Sequence, residues 1–210
     1  MSLFITFEGI EGSGKSTQIL LLAEKLKALN HAVIVTREPG GCPLADQIRH
    51  LLLQPDQGPM APAAELFLYL AARAQHMQEI ILPALEKNFI VLCDRFSDAT
   101  TAYQGFARGI DPTFIGSLNH FATSGHRPDL TLLFELPAEE GLRRSRRRSH
   151  HAGTEIDRLE RESLDFHRRV REGYLRLAAG EPDRFRTFDA TLTVEEISAA
   201  VAAAVIPLLS

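Results

Sequence analysis

The sequence predicts an α/β fold built on a five-stranded, mostly parallel sheet with helices on both faces, and three observations carry that expectation. Short apolar, β-branched runs recur over residues 3–7, 32–36, 89–93, 130–136 and 185–188. Segments with a helical period separate them, and strands that alternate with helices pair in parallel beneath a covering on either side. The first run ends in a glycine-rich loop that opens directly into an amphipathic segment. A sheet of this kind gathers its functional groups outside the carboxyl ends of its strands.

After the first strand the chain reads Gly9-Ile10-Glu11-Gly12-Ser13-Gly14-Lys15-Ser16-Thr17, which satisfies G-x-x-x-x-G-K-[ST] at every position. Gly9, Gly12 and Gly14 permit backbone conformations that a Cβ would block. Consecutive N–H groups then converge on a polyphosphate at a helix N-terminus whose dipole favours anions. Lys15 is expected at the β- and γ-phosphates, and the Ser16 hydroxyl at a Mg²⁺ ion. Ile19, Leu22, Ala23, Leu26 and Leu29 form the apolar stripe of the first helix. The second strand runs into Thr36-Arg37-Glu38-Pro39-Gly40-Gly41. A long helical pattern over residues 63–86 follows, which Pro83 is expected to bend or end.

The third strand runs into Asp94-Arg95-Phe96. Further helix starts are legible at Asp111 before Pro112, at Pro137 before Glu139 and Glu140, and at Thr193 with Glu196 as a capping box. Residues 149–155 read as a mobile connection, with His150 and His151 as loop residues. Residues 158–178 read as one helix that turns Leu159, Phe166, Val170, Tyr174 and Leu177 to the body.

With 210 residues, 45% of them hydrophobic, the chain is expected to form one domain over residues 1–210. A net charge of -4 argues against a nucleic-acid or anionic-membrane partner, although Arg143, Arg144, Arg146, Arg147 and Arg148 concentrate positive charge locally. Cys42 and Cys93 form no C-x-x-C pair, and His150 and His151 have no third ligand at metal spacing. A reduced, cytoplasmic setting follows as the expectation. No run of 18 uncharged apolar residues occurs and no leader pattern opens the chain, so neither a membrane span nor export is expected.

Beyond the loop, Arg37 and Arg95 leave strand ends beside the phosphate cradle, where a guanidinium fork suits a second phosphate group better than a surface ion pair. Asp94 stands where a carboxylate holds Mg²⁺, directly or through water; the alternative is a cap on the next segment. Tyr69 and Arg73 lie one turn apart and either stack and hydrogen-bond a base or form an ordinary helix edge. The arginines near residues 143–148, with Arg158 following, either close over a triphosphate or form a solvated face.

Together, Phe7-Glu8-Gly9-Ile10-Glu11-Gly12-Ser13-Gly14-Lys15-Ser16-Thr17, Thr36-Arg37-Glu38-Pro39-Gly40-Gly41, Ala71-Ala72-Arg73, Asp94-Arg95-Phe96 and Ala102-Tyr103-Gln104-Gly105 stand in the order and spacing of bacterial thymidylate kinase, which the chain resembles over nearly its whole length. The resemblance implies a P-loop kinase fold and transfer of the γ-phosphoryl of ATP to dTMP with Mg²⁺. It implies that Tyr69 stacks on thymine, Arg73 meets its carbonyl, and Thr100 and Gln104 read its remaining edge. It further implies that Tyr103 crowds C2′, Glu11 accepts from the 3′-hydroxyl, and Arg37, Arg49 and Arg95 hold the monophosphate. Asp189 and Ala190 would line the adenine loop, and two chains would pair, although the apolar residues of 63–85 that would supply the face could equally be core. Ile10, Glu11 and Ser13 leave the loop without an arginine, so the chain resembles the class whose catalytic arginine comes from a lid, here residues 143–158. Arg158 is the best match, followed by Arg144 and Arg148. The lid departs from the family pattern in an insertion over residues 150–155. Competing readings are another nucleoside monophosphate kinase and a GTP-dependent switch, which would carry an N-K-x-D signature that this sequence lacks.

Overall fold

In the computed structural model, which describes residues 2–55, 58–153 and 155–209, each of the five apolar runs forms a strand: β1 (Leu3–Glu8), β2 (Val33–Arg37), β3 (Ile90–Asp94), β4 (Leu130–Glu135) and β5 (Phe185–Asp189). The order across the sheet is β2-β3-β1-β4-β5 and every pairing is parallel. β2 and β3 each run one residue further along the chain than the hydrophobic runs suggested, because the ladder continues through the Arg37 and Asp94 pair. That register also sets Phe7 opposite Asp94, and Glu135 opposite Asp189. The polar groups at the strand ends therefore share one rim.

Alternation along β1 explains the two covered faces. Leu3, Ile5 and Phe7 join Ile19, Leu22 and Leu26 of α1 (Lys15–Ala28) in one buried cluster. Phe4, with Val91 and Cys93 of β3, packs on Met77, Ile81 and Ala84 on the opposite side. After α2 (Pro43–Leu53) the long helical pattern supplies that second layer and divides into α3 (Pro62–His76), a π turn over Met77–Ile81, and α4 (Leu82–Glu86). Pro83 falls in the first turn of α4. Since it has no N–H to donate, the wider turn before it absorbs the missing bond, and the helical turns do not end there.

A second wide turn, Thr101–Ala107, continues the short helix α5 (Ser97–Thr100) and is not apparent in the sequence. The three anticipated helix starts are present in α6 (Pro112–Ala122), α7 (Ala138–Ala152) and α9 (Val194–Val205), the last with its capping box complete.

Two expectations are corrected. Residues 149–152 are not a connection, and His150 and His151 are not loop residues. They form the last turn of α7, which ends at Gly153 with φ 61°; the remainder of that expectation includes Thr154, outside the described residues. The helix expected from residue 158 instead starts at Leu164, as α8 (Leu164–Gly180). Ser163 accepts from Phe166 N, while the preceding stretch closes a turn in which Asp157 Oδ1 accepts from Glu160 N at 2.8 Å. Leu159 is still buried, as a turn residue.

Candidate active site

The glycine loop joins β1 to α1 as the motif requires. Gly9, Gly12 and Gly14 hold φ of 137°, 73° and 86°. At Gly12 a Cβ would also come within 2.3 Å of Gly141 O, so α7 lies directly on the loop. Lys15 is buried, and its Nζ donates to Gly9 O at 3.0 Å, Ile10 O at 2.8 Å and Ser13 Oγ at 3.3 Å. Burial, with the Arg95 guanidinium nearby, lowers its pKa to about 8, against the pull of Asp94, Glu11 and Glu8. The unpaired N–H groups at the start of α1 complete an anion cradle.

At the end of β3, Asp94 Oδ2 accepts from Ser16 Oγ at 3.0 Å, so a hydroxyl and a carboxylate stand together beside the loop. The next residue, Arg95, has φ 68°, uncommon for a residue with a Cβ. Its guanidinium donates to Gly9 O at 2.8 Å, Tyr174 Oη at 3.0 Å and Glu11 Oε1 at 2.8 Å, and it lies 5.1 Å from the Tyr103 ring centroid. Burial would raise the Glu11 pKa, but the Arg95 charge, with His167 and Lys15 nearby, outweighs it and holds the carboxyl well below its usual range. Tyr103 Oη donates to the same Glu11 oxygen at 2.7 Å. The other oxygen, Oε2, is buried and accepts no hydrogen bond among the described residues, with His167 Nδ1 3.5 Å away.

Across the cleft stand the residues assigned from the sequence to a second nucleotide. Arg37 pairs with Asp46 at 3.0 Å, and Arg49 Nη1 donates to Pro39 O at 2.9 Å; both line the cleft. Arg73 is 1% exposed and donates to Glu38 Oε2 at 2.8 Å, Asn119 Oδ1 at 2.6 Å and Phe96 O at 3.0 Å. Three of its five N–H groups are thus engaged. Tyr69, Thr100, Tyr103 and Gln104 line the same wall. Gln104 Nε2 donates to Glu65 Oε1 at 2.8 Å, whereas Thr100 Oγ1 is buried with no partner among the described residues.

The three lid arginines separate. Arg144 Nη1 donates to Ala190 O at 2.9 Å, and its Nε to Glu140 Oε1 at 2.7 Å. It therefore bridges the glycine loop and the turn after β5, where Asp189 Oδ1 accepts from Thr191 N. Arg148 lines the cleft, donating to Ser145 Oγ at 3.1 Å and pairing with Glu160 at 3.2 Å. Arg158 does not line it: its Nε donates to Leu52 O at 2.9 Å and its Nη2 lies 2.5 Å from Glu65 Oε2. The structure thus brings Lys15, Asp94, Arg95 and Arg148 to one cleft and sets Arg158 behind its wall.

Several residues at the site carried no assignment from the sequence. Glu8 is fully buried, Oε1 accepting from Phe96 N at 2.7 Å and Oε2 from Tyr174 Oη at 2.7 Å. Burial raises its pKa to about 8, against Arg95 and these two donors. Glu65 gathers Gln104, Arg108 and Arg158, while Gly141 admits α7 to the loop. Only the charge of Glu8 at the end of a largely apolar strand, and of Glu65 in an apolar helix face, signals them in the sequence.

The comparisons agree with this geometry. A family model described as thymidylate kinase matches residues 7–201. A thymidylate kinase of Geotalea uraniireducens is 56% identical over 211 residues, covering 100% of this chain and 99% of its own. One of Syntrophotalea carbinolica is 57% identical, covering 94% and 92%. Among solved structures, the thymidylate kinase of Ehrlichia chaffeensis superposes with a TM-score of 0.77 at 35% identity, over 97% of each chain. With a phosphate cradle, a facing cationic wall and relatives of this likeness along its full length, the chain belongs to the thymidylate kinase family.

Proposed function

We propose that the protein transfers the γ-phosphoryl of ATP to dTMP, giving dTDP and ADP. The observation that carries the reading is the arrangement of two anion sites in one cleft: the glycine loop with Lys15, and a second set of cations made by Arg37 at the end of β2, Arg49 on α2 and Arg95 just after β3. A switch protein has no use for the second site. Two orphaned polar atoms fit the acceptor: Thr100 Oγ1 is positioned for the edge of a base stacked on Tyr69, and Glu11 Oε2 for a sugar hydroxyl. Arg73, held rigidly by Glu38 and Asn119, presents its remaining N–H groups to the base carbonyl.

The nucleophile is a phosphate oxygen of dTMP, whose second pKa is about 6, so it is largely deprotonated at neutral pH. That oxygen forms a bond to the γ-phosphorus as the bond to the β,γ-bridging oxygen breaks, and ADP leaves with the electron pair. No side chain needs to remove a proton. What the reaction requires is alignment of two polyanions and neutralisation of the charge between them, which Lys15, Arg95 and Arg148 supply. Arg144, bonded to Ala190 O, is read as an adenine-side contact, and Arg158 as a lid residue stored on Glu65.

The adjoining oxygens of Ser16 and Asp94 are hard ligands that fit Mg²⁺, and the described residues hold no group of three His, Cys, Asp or Glu side chains that would build a full protein cage. When bound there, Mg²⁺ would neutralise β- and γ-phosphate charge. A homodimer is proposed from the neighbouring faces of α3 and α6, where Phe67, Phe114 and Phe121 are exposed around a buried contact of Leu66, Leu70 and Ile115. A cytoplasmic setting accords with the free, buried Cys42 and Cys93; no described helix is long and apolar enough to cross a membrane. A coupled ADP-release assay across the common nucleoside monophosphates tests the substrate. It is expected to give the highest kcat/KM with dTMP, and equal rates with a ribonucleotide would overturn the assignment.

A further inference from the structure

Tyr174 plays no part in the reading above. It lies on α8 at 1% exposure, and its ring fills a core position that phenylalanine would fill equally well. A buried hydroxyl without partners costs free energy that phenylalanine avoids, so the phenol calls for a reason in its contacts. It has two. The oxygen accepts from Arg95 Nη1 at 3.0 Å, and the hydroxyl donates to Glu8 Oε2 at 2.7 Å. Glu8 Oε1 accepts from Phe96 N at 2.7 Å, so one buried carboxyl group holds the backbone just after Arg95 directly and its guanidinium through the phenol.

The clamp closes on the one residue at the strand rim whose backbone most needs it. Arg95 has φ 68°, a conformation that a residue with a Cβ keeps only where its surroundings fix it. Burial, with Glu8 nearby, pushes the Tyr174 pKa well above its ordinary value, so the phenol keeps its proton. The chain of hydrogen bonds runs from the Arg95 guanidinium through the phenol to the Glu8 carboxyl. The three partners come from β1, the end of β3 and α8, which no local sequence pattern brings together.

We propose that Tyr174 is a positioning residue for Arg95, holding the guanidinium at the angle from which it meets the transferring phosphates; this rests on the reading of Arg95 given above. Tyr174→Phe keeps the ring and removes only the hydroxyl. Its kcat is expected to fall roughly 10- to 100-fold, the scale of a small misplacement of a catalytic group. KM for dTMP is expected to stay within about threefold, because the phosphate pocket remains built. In an Arg95→Lys background, whose ammonium lacks the fork that reaches the phenol, Tyr174→Phe is expected to add less than about threefold.

A Tyr174→Phe enzyme with unchanged kcat overturns the proposal, and so does an equal loss in both backgrounds. If Arg95→Lys is slow while Tyr174→Phe is not, the proposal alone fails; if Arg95→Lys turns over normally, the reading of Arg95 fails and carries the proposal with it. Should Tyr174→Phe not fold, Glu8→Gln interrupts the same relay from its other end, since a carboxamide oxygen accepts from Phe96 N or from the phenol while its NH₂ faces the other. The same kcat loss and the same non-additivity with Arg95→Lys are expected, and their absence overturns the proposal.

Discussion

Lys15 carries the charge on which the donor site depends, and burial has moved its titration close to the working range. The sign follows directly. Below about 8 the ammonium is charged in the free protein; above that pH it loses its proton, and a triphosphate must restore it on binding. ATP affinity is therefore expected to be full below about 8 and to weaken as pH rises through that value, by up to roughly tenfold per pH unit. Calorimetry at alkaline pH in buffers of different ionisation heat is expected to detect proton uptake on ATP binding. Uptake indistinguishable from zero would remove Lys15 as the titrating group.

At this scale the sequence spoke clearly wherever chemistry is local. Gly9 to Thr17 are adjacent residues whose spacing is itself the site, and Asp94 and Arg95 follow an apolar strand. The site contacts of Glu8, Tyr174 and His167 were not legible, because they are made across the fold; Glu8 and Tyr174 are 166 residues apart, although Tyr174 was placed on the buried face of its helix. The partner of Arg158 was hidden for a related reason. The neighbourhood of this arginine in sequence suggests a lid, but a buried carboxylate on α3 captures it.

Between elements, the decisive contact is α7 on the glycine loop. Gly12 and Gly141 meet without side chains, and a Cβ on Gly141 would stand 2.6 Å from Glu11 O. Gly141→Ala must therefore push either the helix or the loop, and overpacking of this kind costs about 1–3 kcal/mol. A lower melting temperature together with a raised KM for ATP is the expected outcome, from thermal unfolding and steady-state kinetics. A variant equal to the wild type in both would mean that α7 does not support the loop.

Strands and capped helices were readable because hydrophobic period and capping residues act over a few neighbours. Asp111, Pro137 and Thr193 each mark a helix start. The boundary between α7 and α8 was not readable, because the polar run of 149–152 continues a helix and the apolar Leu159 belongs to a turn held by Asp157. The two π turns were equally invisible, as no side-chain pattern distinguishes them from the α-helices they interrupt.

Seen whole, the molecule places its polar chemistry on one rim of a parallel sheet and its apolar residues between layers, with the exposed phenylalanines of α3 and α6 set apart from the cleft. Self-association through that face would leave the cleft open. Sedimentation is expected to give a dimer for the wild type and a monomer for Phe121→Asp with Phe114→Asp; a wild-type monomer would refute the pairing.

Phosphoryl transfer in this cleft requires two nucleotide sites that are filled together. Titrating dTMP by calorimetry into protein saturated with a non-hydrolysable ATP analogue and Mg²⁺ tests this most directly. The prediction is one dTMP bound per chain without release of the analogue, whereas competition between the two ligands for a single site would contradict it.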